Sequence, residues 1–329
     1  MIALNEDARY AGRQVLVLGG FGYIGTHVTD ALLKSAAAVT VVTPWRERHE
    51  AVARRVEAAG ARVVQADVRD RVAMREAVAG QEIVFNLSGR SGSVRSVEDP
   101  AGDLDVNCNG TLALIDAIHL ESPAAKLVLA GSRLVYGATR ALPVSENQVL
   151  APLCPHGLHK ATAERYLSIY AALHGLRATT VRITNPYGPG QPADRSAYGV
   201  INYLIHLALT GSPLPIYGDG AQMRDYVFIA DVVRALLAVG AHPPSDGRSY
   251  NVGSGVGTRM IDAARLIIEA AGGGRVETRP WPPIAKQIET GDFVADIGRI
   301  RAEIGWTPVV TLVDGLHRTV AAAAARVHE

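Results

Sequence analysis

Val15-Leu16-Val17-Leu18-Gly19-Gly20-Phe21-Gly22-Tyr23-Ile24-Gly25 decides how the rest of the chain is read. A β-rich apolar run stops at a cluster of glycines, and a segment of helical period follows over residues 23–34. Strand, tight turn and helix in that order leave a turn bare of side chains at Gly19, Gly22 and Gly25. A pyrophosphate can then approach the backbone and rest against the positive end of the helix. A dinucleotide is the expected ligand, and a glycine loop that binds nothing is the alternative.

Outward from this turn the alternation persists. Residues 38–43 form a second apolar run, 47–59 are helical in pattern and 61–66 read as a third strand. Further strands fall at 83–87 and 126–130, separated by a helix over 111–120. Strands alternating with helices at this spacing imply right-handed crossovers and a parallel sheet covered on both faces. The fold class is α/β, a doubly wound parallel sheet of the Rossmann type with a smaller C-terminal substrate-binding lobe. From about Asn185 the chain is broken by Pro186, Gly188, Pro189, Gly190 and Pro192, and again by Gly211, Pro213, Pro215, Gly218 and Gly220. The expected division is a dinucleotide domain over 1–184 and a lobe over 185–329. Strands at 178–183 and 249–252 still read as sheet, so residues from about 246–256 return to the first domain and the two are interleaved.

The 329 residues suffice for a sizeable core, with 48% hydrophobic residues, 20% charged and a net charge of +1. That balance argues against disorder and against a nucleic-acid footprint, leaving small molecules and a second copy of the chain as expected partners. Cys108 and Cys154 make no disulfide framework and have no neighbour at metal-ligand spacing, which fits a reducing compartment and no metal. No apolar run approaches transmembrane length, and Glu6, Asp7 and Arg9 interrupt any signal-peptide order. A cytoplasmic protein without membrane contact is expected.

Several motifs recur in order along nearly the whole chain: the G-x-x-G-x-x-G turn, Asp67-Val68-Arg69-Asp70, Asn86-Leu87-Ser88-Gly89 and Asn107-Cys108-Asn109-Gly110-Thr111. Further on come Ser132-Arg133-Leu134-Val135-Tyr136-Gly137, Asn185-Pro186-Tyr187-Gly188-Pro189-Gly190, Arg224-Asp225-Tyr226 and Gly305-Trp306-Thr307-Pro308. In this the chain resembles the extended short-chain dehydrogenase/reductase family, whose members include nucleotide-sugar epimerases and dehydratases. The resemblance implies that Gly19, Gly22, Tyr23, Ile24 and Gly25 hold the dinucleotide. It also implies that Asp67 contacts the adenine with Val68 beside it, and that Leu87, Ser88 and Gly89 line the floor of the site. Asp67 as a helix N-cap is the alternative. Asn107 is expected to support neighbouring backbone. NAD-preferring relatives usually carry an acidic residue at the end of the second strand, whereas this chain has Thr43 followed by Arg46 and Arg48. The cofactor is therefore NAD or NADP, leaning to NADP through Arg46, unless both arginines are merely solvated.

By the same resemblance Ser132 hydrogen-bonds the reacting oxygen, and a Y-x-x-x-K pair on the next helix supplies the acid/base and its electrostatic partner. Positions four apart share one helix face. Aligned on Pro152, Pro155, Gly157, Lys160 and Glu164, the lysine is Lys160, but the tyrosine position holds His156. Histidine transfers protons near neutral pH, so His156 is expected to be a working acid/base. The other readings are that a different group has taken over, or that hydride chemistry is lost. Arg133 and Leu134 stand where dehydratases tend to carry an acidic residue, which disfavours dehydration.

On the substrate side the resemblance places Asn185 against the sugar or phosphates and Arg224 against the diphosphate, with an ion pair to Asp225 or Asp231 as the alternative for Arg224. Glu289 replaces a second expected arginine. Ser96 faces the sugar or caps a loop. The expected substrate is a nucleotide-activated sugar, epimerised through a transient keto intermediate. An NADPH-dependent keto-sugar reductase and an inactive nucleotide-sugar-binding homologue are the competing readings. Relatives commonly dimerise through helices that include the catalytic pair, and Ala161, Ala163, Leu167, Tyr170, Ala171 and Ala172 suit a homodimer.

Overall fold

The computed structural model describes residues 9–193 and 199–327. Seven parallel strands form one sheet: β1 (Gln14–Leu18), β2 (Ala38–Thr43), β3 (Arg62–Gln65), β4 (Ile83–Asn86), β5 (Lys126–Ser132), β6 (Arg177–Ile183) and β10 (Ser249–Val252). Their spatial order is β10-β6-β5-β4-β1-β2-β3, with every neighbouring pair parallel. The order reverses between β1 and β4, and the crevice at the carboxyl ends of these strands is where such sheets bind ligands.

β1 from Val15 to Leu18 and β4 from Ile83 to Phe85 are apolar and buried because both faces of the sheet are covered. Alternate residues supply separate cores: Val15 and Val17 pack into one, Leu16 and Leu18 into the other. The helices α1 (Tyr23–Lys34) and α9 (Ile229–Gly240) pack together on the first side; α3 (Arg71–Val78), α6 (Gly110–Glu121) and α7 (Pro155–His174) cover the second. α2 (Glu50–Ala58) follows a short 3-10 turn at Glu47–His49 rather than running unbroken from 47.

After β6 the glycine- and proline-rich region is more regular than its composition suggests. β7 (Asn185–Tyr187), β9 (Met223–Phe228) and β11 (Gly257–Arg259) form a three-stranded sheet, and β8 (Leu214–Tyr217) pairs with β12 (Val276–Arg279). α8 (Val200–Leu209), α10 (Met260–Ala271) and α13 (Leu312–Val327) pack around them. The proline-rich stretch at 280–283 leads into α11 (Pro283–Gln287), followed by α12 (Gly298–Ile304). Trp306 is buried and its indole donates to the Asp231 carbonyl at 3.1 Å, fastening the closing segment to α9. No helix among the described residues is long and apolar enough to cross a membrane.

Candidate functional site

The glycine turn is shaped by backbone contact. Gly19 takes φ +73°, and a Cβ there would lie 2.8 Å from the Leu87 carbonyl oxygen and the Ser88 nitrogen. A Cβ at Gly25 would lie 2.1 Å from the Gly19 carbonyl oxygen, so neither position admits a side chain. α1 starts at this turn with no side-chain cap on Gly22 and no acidic residue in its first turn. Its leading N–H groups are thus left for an anion. The turn forms one wall of a cleft of about 880 Å³, which Leu87, Ser88, Gly89, Ser132, His156 and Lys160 also line.

β5 delivers Ser132 to the cleft as its last residue, with Oγ accepting from the Leu134 N–H at 3.2 Å. α7 begins with Pro155, which has no N–H to satisfy, and ends at Gly175 in the left-handed region. His156, His159 and Lys160 lie one turn apart or less on its buried face. Lys160 Nζ donates to the Ala130 carbonyl at 3.0 Å, and burial lowers its pKa, against the opposing pull of Asp103. α4 (Ser93–Glu98) and α5 (Pro100–Leu104) lie against α7, and a π-helical turn at Asp105–Asn109 joins α5 to α6. Asn107 in that turn donates to the Arg90 carbonyl at 3.1 Å, while its buried Oδ1 has no partner beside Gly89. A turn of this kind inside helical structure often marks a functional site.

His156 is backed by a carboxylate from α5. Its Nδ1 lies 3.4 Å from Asp103 Oδ2, and His159 Nδ1 lies 2.7 Å from Oδ1 of the same residue. Burial works to raise Asp103, but hydrogen bonds from both histidines outweigh it and hold the carboxyl at about 2. Burial lowers the His156 pKa; Asp103 opposes this and the Lys160 charge reinforces it, so the imidazole is neutral at pH 7. Burial pushes the nearby Cys108 thiol up to about 11, which keeps it protonated and inert.

Other expected site residues sit elsewhere. Arg46 is held bidentate by Glu57 at 2.6 and 3.0 Å and does not line the cleft. Thr43 is buried, with Oγ1 accepting from the Trp45 N–H. Asp67 is gripped by Arg69 through two contacts of 2.8 Å, and it is not the helix cap: Asp70 accepts from the Val72 and Ala73 N–H groups that open α3. Val68 packs into the core against Gly110 rather than facing the cleft. Ser96 is buried with its Oγ accepting the His156 N–H at 3.1 Å, so it satisfies the first turn of α7 and does not face the cleft.

Asn185 donates to the Asp225 carbonyl at 2.9 Å, tying β7 to β9. Arg224 pairs with neither Asp225 nor Asp231. It reaches Glu289 at 2.5 Å and the Met223 and Gly291 carbonyls at 3.0 and 2.9 Å, away from the cleft wall. Thr184 was not anticipated: it follows β6, lines the cleft, and its buried hydroxyl has no partner. Its position just past a predicted strand end was the available signal.

A doubly wound parallel sheet with a bare glycine turn at its order reversal, a partnerless Asn107 oxygen and a serine, histidine and lysine on the cleft wall fits a dinucleotide-dependent enzyme of the short-chain type. The sequence model of the NAD dependent epimerase/dehydratase family matches residues 15–253, and the chain belongs to that family. The chain is 32% identical over 313 residues to a UDP-glucose 4-epimerase of Mycolicibacterium smegmatis, covering 93% of this chain and 97% of that one. It also resembles the solved UDP-glucose 4-epimerase of Thermotoga maritima with UDP-glucose, at 28% identity and a TM-score of 0.87 over 95% of this chain and 99% of that one. The Thermus thermophilus UDP-glucose 4-epimerase in complex with NAD is 30% identical with a TM-score of 0.83, over 94% of this chain and 98% of that one.

Proposed function

We propose that this chain inverts a ring carbon of a nucleotide-activated sugar, through a transient keto sugar, with His156 moving the proton. The observation that carries the reading is the meeting of Ser132, His156 and Lys160 on one cleft wall beside the glycine turn. A nicotinamide dinucleotide held against the glycine turn would supply the hydride acceptor and donor of the reaction. Ser132 donates to the reacting oxygen, and neutral His156 accepts its proton and later gives it back. Lys160 places a positive charge beside the site and holds the cofactor ribose, while Asn107 and Gly89 keep the floor open next to it. Relatives named as UDP-glucose 4-epimerases support a UDP-sugar and carbon 4, and they favour epimerisation over reduction of a keto sugar.

The cofactor is NAD. The lean to NADP rested on Arg46, whose fork Glu57 occupies, and the Thermus relative holds NAD. Residues 1–184 with the returning strand β10 carry the cofactor; 185–329 form the substrate lobe. Leu120 and Leu173 project from α6 and α7 at 59% and 70% exposure, which supports a homodimer through these helices. Two buried free cysteines suit a cytoplasmic location.

The test is turnover on UDP-, TDP- and GDP-sugars with the retained nucleotide identified. Native protein should interconvert a UDP-sugar pair and release NAD on denaturation, and His156→Ala should lose roughly 10²–10⁴-fold in kcat. Native protein that holds NAD yet turns over no sugar would refute the reading, especially if His156→Tyr gains activity.

A further inference from the structure

His156 in the tyrosine position is a change of acid/base, and a changed acid/base needs its own orienting group. The imidazole has two nitrogens, and only the one without hydrogen can accept a proton. His156 lines the cleft, whereas Asp103, whose Oδ2 lies 3.4 Å from His156 Nδ1, is buried and does not. A carboxylate only accepts, so the nitrogen facing it carries the hydrogen. The other oxygen of Asp103 is fixed by His159 at 2.7 Å, which pins the carboxylate from the next turn of the same helix. All three side chains are buried, at 7% exposure or less. Around them stand Lys160, committed to the Ala130 carbonyl, and the thiol of Cys108, directed at the His159 carbonyl. Cys154 precedes α7 and is also buried.

We propose that Asp103 is the positioning residue for His156: it fixes the Nδ1–H tautomer, so that Nε2 presents its lone pair to the sugar hydroxyl. His159 is the strut that keeps Asp103 in place. In the forward step the hydroxyl O–H bond breaks toward Nε2 as the carbonyl forms, the C–H electron pair being what a nicotinamide held in the cleft would take up as hydride. In the return step the imidazolium gives the same proton back. This inference rests on the reading of His156 as the acid/base and deepens it.

The first test needs no turnover. Long-range ¹⁵N–¹H correlation spectra of histidine-labelled full-length protein should show His156 as the Nδ1–H tautomer at pH 7.5; an Nε2–H tautomer in native protein overturns the proposal. Asp103→Asn replaces the acceptor with an amide that can donate to Nδ1, so the tautomer should switch to Nε2–H. Its kcat should fall at least about 30-fold, with KM within about threefold and retained dinucleotide unchanged. Asp103→Glu should recover part of kcat together with the Nδ1–H signature. If His156→Ala abolishes turnover while Asp103→Asn keeps native kcat and native tautomer, the proposal fails and the acid/base reading stands. If His156→Ala itself turns over normally, the acid/base reading fails, and the tautomer spectra still decide whether Asp103 holds the ring. Should Asp103→Asn not fold, the native spectrum and the Asp103→Glu variant settle the matter.

Discussion

Two charged clusters in this chain, one buried and one partly buried, use the same materials in opposite ways. Behind the cleft, one carboxylate, Asp103, faces two imidazoles and takes hydrogen bonds at both oxygens. Near β9, one carboxylate, Glu289, faces two guanidiniums: Arg224 at 2.5 Å, and Arg133, which it reaches only through the field. Burial lowers Arg133 to about 10, the Arg224 charge adds to the lowering, and Glu289 opposes it. The first cluster can be charge-neutral at His156, whose imidazole sheds its proton when buried; the second cannot, because guanidinium keeps its charge. A histidine cluster therefore stays adjustable and suits proton transfer, whereas an arginine cluster is a fixed charge whose stability depends on the acid bonded to it.

The sharpest way to break this comparison is to take the acid or its closest partner away from the arginine cluster. Arg224→Met strands Glu289, and Glu289→Ala leaves two desolvated guanidiniums facing each other. Each should cost roughly 2–3 kcal/mol of unfolding free energy, because removing one partner of a largely buried pair leaves a charge that water reaches only in part, Glu289 being 23% exposed. Urea unfolding with a double-mutant cycle measures it, and a coupling below about 0.5 kcal/mol would show that the pair is solvated and the contrast false.

Acid titration probes the histidine cluster. Asp103 sits at about 2 in the folded protein against an ordinary 3.8, a depressed carboxylate, so its contribution is present above the unfolded pKa and is lost as pH falls from about 4 through about 2. The size is roughly 2 kcal/mol at about 1.4 kcal/mol per unit. His156 acts in the same direction at higher pH: its folded pKa is lowered, so below 6.5 the unfolded chain takes the proton first and stability begins to fall. Asp103→Asn should flatten the lower part of the stability curve, and an unchanged slope between pH 4 and pH 2 would dissociate Asp103 from these histidines.

The two clusters also mark where reading the sequence stops. The strands, the glycine turn and the cleft floor at Leu87, Ser88 and Gly89 were legible because backbone sterics and period-two or helical patterning act locally. Lys160 and His156 were legible as positions on one helix face. Asp103 was not, since nothing in a short α5 predicts that its carboxylate meets α7, 53 residues away from His156. Arg46, Asp67, Ser96, Asn185 and Arg224 were legible as polar residues but their internal partners were not: each has one that only folding brings near. Charged and hydroxyl side chains take whichever acceptor the tertiary structure supplies, and one-dimensional spacing does not encode that choice.

Arg133 gives the smallest and most discriminating effect. Its guanidinium stacks 5.3 Å above the Phe293 ring and donates to Thr290 Oγ1 at 3.0 Å, with Glu289 committed to Arg224. A desolvated cation without a bonded carboxylate is offset by the ring, one hydroxyl and the fields of Glu289, Tyr226 and Asp225, against a desolvation cost of several kcal/mol. Replacing it with a flexible apolar chain removes the cost and most of the compensation together. Arg133→Met is thus expected to change unfolding free energy by no more than about 1 kcal/mol, of either sign, with Arg224→Met remaining strongly destabilising in the same background. If Arg133→Met instead loses as much as Arg224→Met, Glu289 is shared equally between both guanidiniums and the cluster is a bridged triad. That would make its charge balance resemble the two-to-one sharing around Asp103, and the difference between the clusters would reduce to the chemistry of imidazole and guanidinium alone.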